Sequence, residues 1–88
     1  MSYRWEMDSA AERYFRRLPP ARQESIVQRL ERLCGDPLSA ALSKPLKGSL
    51  AGLRSFRVGN LRVLFEVREV VRVIGVTEIG PRGDIYKR

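Results

Sequence analysis

The sequence predicts an α+β fold: a short N-terminal strand, a helical hairpin, then a three-stranded antiparallel meander. Three observations carry this prediction. Apolar residues recur every three or four positions only in the first forty or so positions, β-branched runs with a period of two fill the second half, and Pro-Pro, Lys-Gly and Gly-Asn signals separate the blocks. With 88 residues, 43% of them hydrophobic and 31% charged, there is apolar side chain for one core and no room for two. Residues 1–88 are therefore read as a single domain. A chain of this size buries only about 60 to 65% of its unfolded surface, so a bound partner adds substantially to its stability.

Each element has its own signal. Tyr3, Trp5 and Met7 alternate with Arg4 and Glu6, the period of a half-buried strand. Ser9 followed by Glu12 predicts a capping box that starts a helix in which Ala11, Phe15 and Leu18 share a face, and Pro19-Pro20 ends it. Pro20 also suits the first turn of a second helix, where its missing N–H costs nothing. Ile26, Val27, Leu30, Leu33 and Cys34 form the apolar stripe of that helix, Gly35 is its expected C′ residue, and Asp36-Pro37 stops it. Leu38 to Gly52 reads as a loop. Leu53 to Val58, the turn Gly59-Asn60, and Leu61 to Arg68 read as a hairpin. Val70 to Thr77 pairs as a third strand after a tight turn near Arg68-Glu69. Alternation puts Leu61, Val63, Phe65 and Val67 on one face and Arg62, Leu64 and Glu66 on the other.

Charge narrows the function. Seventeen Lys and Arg against ten acids give a net charge of +7, with an isoelectric point near 10.5, and such an excess of one sign points to an anionic partner, nucleic acid first. The N-terminal residues match neither a signal peptide nor a lipidation site, and no apolar run approaches the length of a membrane span. A soluble, cytoplasmic protein with no membrane contact is expected. Cys34 is the single cysteine, so neither an intramolecular disulfide nor a cysteine zinc cluster can form.

There is no histidine, which excludes a Ser-His triad at Ser49 or Ser55. Metal-dependent hydrolysis needs converging carboxylates, whereas acids such as Glu12, Glu24 and Glu31 sit on predicted helix exteriors and Glu78 and Asp84 are too few beside the basic residues, so neither a metal nor a cofactor is expected. Metal-free RNA cleavage turns the ribose 2′-OH against its own phosphate and needs a base, a clamp on the phosphorane charge and help for the 5′-oxygen. Without imidazole, a Lys or Tyr among other cations takes up the base role, while Arg stays protonated and clamps phosphate. Lys44, Lys47, Arg54, Arg57 and Arg62, followed by the closing Arg82-Gly83-Asp84-Ile85-Tyr86, supply those groups. The helical arginines Arg13, Arg16, Arg17, Arg22, Arg29 and Arg32 read as solvated faces, and Trp5 and Tyr14 as core edges.

The order of these motifs resembles the RelE/ParE superfamily of bacterial type II toxins, its RelE branch best. The resemblance spans nearly the whole chain: a short strand, two helices ending in Leu33-Cys34-Gly35-Asp36-Pro37, then Lys44-Pro45-Leu46-Lys47-Gly48, Leu53-Arg54-Ser55-Phe56-Arg57-Val58-Gly59-Asn60-Leu61-Arg62-Val63-Leu64-Phe65 and Arg82-Gly83-Asp84-Ile85-Tyr86. It implies a microbial-RNase-like fold, a cognate antitoxin that wraps the chain in a hetero-oligomer, and cleavage of mRNA on the ribosome. By motif, Lys47, Arg57 and Arg62 would hold phosphate, with Lys44 and Arg54 beside them; Arg82 would stabilise the leaving side and Tyr86 would act as general base. The catalytic set implied is thus Arg62, Arg82 and Tyr86. Ser55 stands where many RelE-like proteins carry a cation, and Pro81 where relatives often carry a histidine. Two other functions are weighed against the ribosome-dependent mRNA endonuclease: a ParE-like inhibitor of DNA gyrase, and a noncatalytic RNA- or protein-binding module.

Overall fold

Trp5 and Met7 alternate with charged residues because one face of their strand lies against helices and the other against solvent. In the computed structural model, which describes residues 2–81, this strand is β1 (Arg4–Met7). It is followed by α1 (Ser9–Arg16), α2 (Pro20–Gly35), a two-residue β2 (Lys44–Pro45), a 3₁₀ turn at Gly48–Leu50, β3 (Arg54–Val58), β4 (Leu61–Arg68) and β5 (Val73–Pro81). The strands form one sheet in the order β1-β5-β4-β3-β2, with β1 parallel to β5 and every other pair antiparallel. The expected meander is its centre; β1 and β2 add the two edges. Among the described residues no helix is long and apolar enough to cross a membrane.

The core lies between the helices and one face of the sheet. Ile26, Leu30 and Leu33 of α2 and Ala11 of α1 meet Phe56, Val63, Phe65, Ile74 and Val76, all buried. Phe56 and Phe65 pack with ring centroids 6.0 Å apart at 49°, within the favoured range for tilted aromatic pairs. Leu64 and Val73 are also buried but stand apart from that cluster, on the opposite face.

Helix ends differ from expectation in two places. The capping box does not form: Asp8 takes the N-cap position, its N–H donating to the Val76 carbonyl at 2.9 Å, so Ser9 is already helical. Glu12 instead pairs forward with Arg16 at 2.7 Å. At the other end Gly35 is the last helical residue rather than a left-handed C′ residue. The terminal carbonyl of Cys34 accepts from the Tyr3 N–H at 3.0 Å, so an orphan acceptor of the last turn is satisfied by the incoming strand. Pro20 occupies the first turn of α2 as expected, and the Gln23 side-chain amide donates to the Phe15 carbonyl at 2.8 Å, closing the hairpin.

The second half departs in register. Gly59 alone takes positive φ, +60°, in the β3–β4 turn, the pattern of a type II′ hairpin. The third meander strand starts at Val73, not Val70, and runs to Pro81. A two-residue turn at Arg68-Glu69 would pair Val67 with Val70 and so place Arg72 opposite Phe65, inside the core. The wider turn, with Arg72 at φ 59°, pairs Val67 with Ile74 and Phe65 with Val76 and leaves Val70 and Val71 exposed. A bulge follows: Phe65 pairs with Val76 but Leu64 with Glu78, leaving Thr77 as the extra residue, its hydroxyl 3.4 Å from the Leu64 carbonyl.

Candidate active site

Directly paired residues in a sheet project to the same face, so the register sorts the predicted site residues. On the face away from the helices, one row reads Lys44, Ser55, Leu64, Glu78 and the next reads Arg57, Arg62, Gly80. Two arginines therefore stand side by side on neighbouring strands. Like charges directly opposite each other destabilise a sheet by roughly 0.2 to 1 kcal/mol. Gly80 brings no side chain to its place beside Arg62.

Arg62 is only 5% exposed and Ser55 only 1%. The Arg62 Nη1 donates to the Ser55 Oγ at 3.3 Å, which orients a buried guanidinium. Arg57 and Lys44 are exposed, and among the described residues neither forms an ion pair. Lys44, Ser55, Arg57 and Arg62 line one cavity of about 330 Å³, closed by the segment 40–43 and by Arg29 of α2.

The other half of this face is electrically balanced. Glu6, Gly75 and Glu66 form a row across β1, β5 and β4. Arg68 lies across it, with Nε 2.6 Å from the Glu66 carboxylate and Nη1 3.0 Å from that of Glu6. Gly75 makes this possible, since a Cβ there would come within 2.8 Å of the Arg68 guanidinium. The hydrogen bond and charge of Glu66, then those of Glu6, push the Arg68 guanidinium still further up. That end is neutralised, and on the rest of the face Lys44, Arg57 and Arg62 stand with the carboxylate of Glu78.

Two arginines hold the segment that precedes Lys44. Arg54 projects to the helix side of the sheet; its Nε donates to the Ser43 Oγ at 2.9 Å, and its Nη2 reaches the Ser43 carbonyl at 3.3 Å and the Leu38 carbonyl at 3.4 Å. Arg29 donates to the Leu42 carbonyl at 2.8 Å, and its guanidinium lies 5.1 Å from the Phe56 ring centroid. Leu42 and Ser43 are buried as a result.

Of the residues singled out in the sequence, the structure brings Lys44, Arg57 and Arg62 together. Arg54 does not line the cavity, and Lys47, exposed at the start of the 3₁₀ turn, does not either. Arg82 and Tyr86 lie outside the described residues. Arg29 is the cavity residue that sequence reasoning placed elsewhere, on a solvated face. Its position three after Ile26 and four before Leu33, both buried, is the signal that sets it at the margin of the apolar stripe. Cys34 plays no part: burial, and then Glu31, push its thiol up, so little thiolate is present at neutral pH.

Residues 5–86 match the family described as ParE toxin of type II toxin-antitoxin system, parDE. Toxin RelG of Mycobacterium tuberculosis is 30% identical over 89 residues, covering 100% of both chains. Among solved structures, the toxin-antitoxin complex RelBE2 from Mycobacterium tuberculosis superposes with a TM-score of 0.80 at 26% identity, over 93% of this chain and 100% of that one. A variant of E. coli toxin RelE in the free state matches at TM-score 0.78 and 20% identity, over 92% of this chain and 84% of that one.

Proposed function

We propose that this chain, which belongs to the RelE/ParE superfamily of type II toxin-antitoxin toxins, is a ribosome-dependent mRNA endonuclease held inactive by a cognate antitoxin. The observation that carries the reading is the Arg57–Arg62 pair, set side by side on an outer sheet face with Lys44 on the same cavity. Two arginines and a lysine on one cavity favour a phosphodiester that gains charge in the transition state over one that does not.

In this reading Arg62, buried and oriented by Ser55, clamps the scissile phosphate from beneath while Arg57 and Lys44 meet it from the exposed side. Arg54 and Lys47 lie outside the cavity; Arg54 holds the segment 38–43 and makes no phosphate contact, and Lys47 contacts the flanking backbone. Tyr86, as phenolate, takes the proton of the 2′-OH; the 2′-oxygen bonds to phosphorus as the bond to the 5′-oxygen breaks. Arg82 offsets the charge on that oxygen until solvent protonates it. Gly80, two residues before Arg82 in the sequence, pairs with Arg62, which supports assigning the two arginines to one phosphate.

A set with no histidine relies on orientation. General acid-base catalysis contributes typically 10²- to 10⁴-fold, whereas holding the 2′-oxygen in line with phosphorus contributes more. The ribosome supplies that orientation, free RNA is cut poorly, and the cytoplasm is where the protein acts. The RelBE2 relative is a complex with its antitoxin; a cognate antitoxin covering this face would match its positive charge with acidic residues. A second reading, inhibition of DNA gyrase, draws on the ParE description of the matching family.

The test is induction in cells of wild type, Arg57→Ala, and a Tyr86→Phe, Arg82→Ala double variant, mapping 5′ ends of translated mRNA beside gyrase-dependent DNA breaks. Breaks inside codons that vanish in both variants are expected. DNA breaks over intact mRNA would replace this reading with the second one, and growth inhibition unchanged in both variants would leave binding alone.

A further inference from the structure

Arg29 lines the cavity from the helical side, while the groups assigned above reach it from the sheet and the segment before it. A tether for the segment 38–43 explains only part of that placement. Arg54 already holds the same segment with three hydrogen bonds and stays out of the cavity. Arg29 adds one bond, to the Leu42 carbonyl, and stacks over Phe56. Of its five N–H donors, one is used among the described residues. Among the described residues it forms no ion pair. Its plane is thus fixed by a carbonyl and a ring while most of its donors remain open, in a half-buried position where charge is weakly screened.

We infer that Arg29 is a further phosphate-binding residue of the site, contributed by the helical hairpin, which holds the ribose-phosphate backbone of single-stranded RNA next to the phosphate clamped by Arg57 and Arg62. This rests on the nucleic-acid reading of the site and extends it across the cavity. The substrate path it implies runs from the outer sheet face over the edge of β3, between Arg57 and α2, instead of along the sheet alone. Because the guanidinium is already immobilised, contact with phosphate costs little side-chain entropy.

The test is salt-dependent binding of a 2′-O-methylated single-stranded RNA, which cannot be cleaved, to the full chain. Each phosphate contact contributes about 0.7 to the slope of log affinity against log salt for single strands. Arg29→Gln should lower the slope by about 0.7 and weaken binding severalfold at low salt, while Arg29→Lys keeps the slope; circular dichroism melts identify folded variants. Arg32→Gln removes the same charge from the exposed side of the same helix, and Arg54→Gln unties the same segment, so both should leave the slope unchanged. An equal fall in Arg32→Gln would reduce the effect to the general field, and an equal fall in Arg54→Gln to the tether; either overturns the inference. Arg57→Ala separates the two levels. A fall there with none in Arg29→Gln overturns the role of Arg29 alone, and no fall in either removes the nucleic-acid reading beneath it as well.

Discussion

Replacing Arg57 by threonine should make the protein more stable while removing part of its function. Arg57 stands directly across from Arg62 on the adjacent strand, and it is exposed, so the substitution removes a like-charge pair without opening the core. Relief of such a pair contributes roughly 0.2 to 1 kcal/mol, and threonine suits a strand at least as well as arginine. For a domain of this length 1 kcal/mol corresponds to about 4 to 8 °C in melting temperature. A rise of roughly 1 to 8 °C follows. Because the gain is electrostatic, it should be largest near 0.01 M salt, where the Debye length is about 30 Å, and shrink near 1 M, where it is about 3 Å.

Thermal melts of wild type, Arg57→Thr and Arg57→Lys at the two salt concentrations separate the contributions. Arg57→Lys keeps the charge and should stay close to wild type. A variant threonine protein that melts lower than wild type at low salt would refute the argument, since Arg57 would then be supporting the fold. A gain that persists undiminished at high salt would refute it too, by assigning the effect to strand propensity.

Three further outcomes are expected. Leu30 is fully buried between the helices and the sheet, so Leu30→Ala should cost about 2 to 5 kcal/mol, read as a lower denaturation midpoint with an unchanged slope. Gly59 has φ +60° and lies under the Arg22 guanidinium; Gly59→Ala should cost about 1 to 2 kcal/mol, and an unchanged urea midpoint would count against the type II′ turn. Burial and then Glu31 raise the Cys34 thiol in the folded chain, so this group's contribution to stability is complete below the unfolded thiol's value and is lost as pH rises through the folded one. Alkylation of Cys34 by iodoacetamide near neutral pH should accordingly be much slower in the native than in the urea-unfolded protein, and equal rates would contradict the burial.

Much of this architecture was legible because local signals and packing agree. The alternation of Leu61, Val63 and Phe65 and the stripe of Ile26, Leu30 and Leu33 are both satisfied by one contact between sheet and helices. The family resemblance rested on motif order, and residues 5–86 match the toxin family. What sequence did not reveal was decided by long-range partners. Gly35 is a good C′ residue by composition, but the Tyr3 N–H reaches the helix end first. Lys44-Pro45 has too little pattern to announce a strand, and becomes one because Ser55 and Arg54 lie opposite. Within the site, Lys44, Arg57 and Arg62 converge because residues paired across strands share a face, whereas Arg54, one step out of phase with Ser55, falls on the other. Arg29 was assigned to solvent because charge outweighed its phase on the helix.

The bulge at Thr77 links the core to the site. In an unbroken strand continuing from the Phe65–Val76 pair, Glu78 would oppose Val63 and enter the helix-side core, and Ile79 would oppose Arg62 on the outer face. One extra residue reverses the phase. Val76 and Ile79, three positions apart, both become buried in the core, Glu78 moves outward beside Leu64, and Gly80 becomes the neighbour of Arg62. Bulges are common next to active sites because they re-aim side chains at small cost. Here the re-aiming removes a branched apolar side chain from beside the buried guanidinium and puts a glycine in its place. The burial of Ile79 in the core and the placement of a glycine beside Arg62 therefore follow from the same irregularity, and losing one would disturb the other.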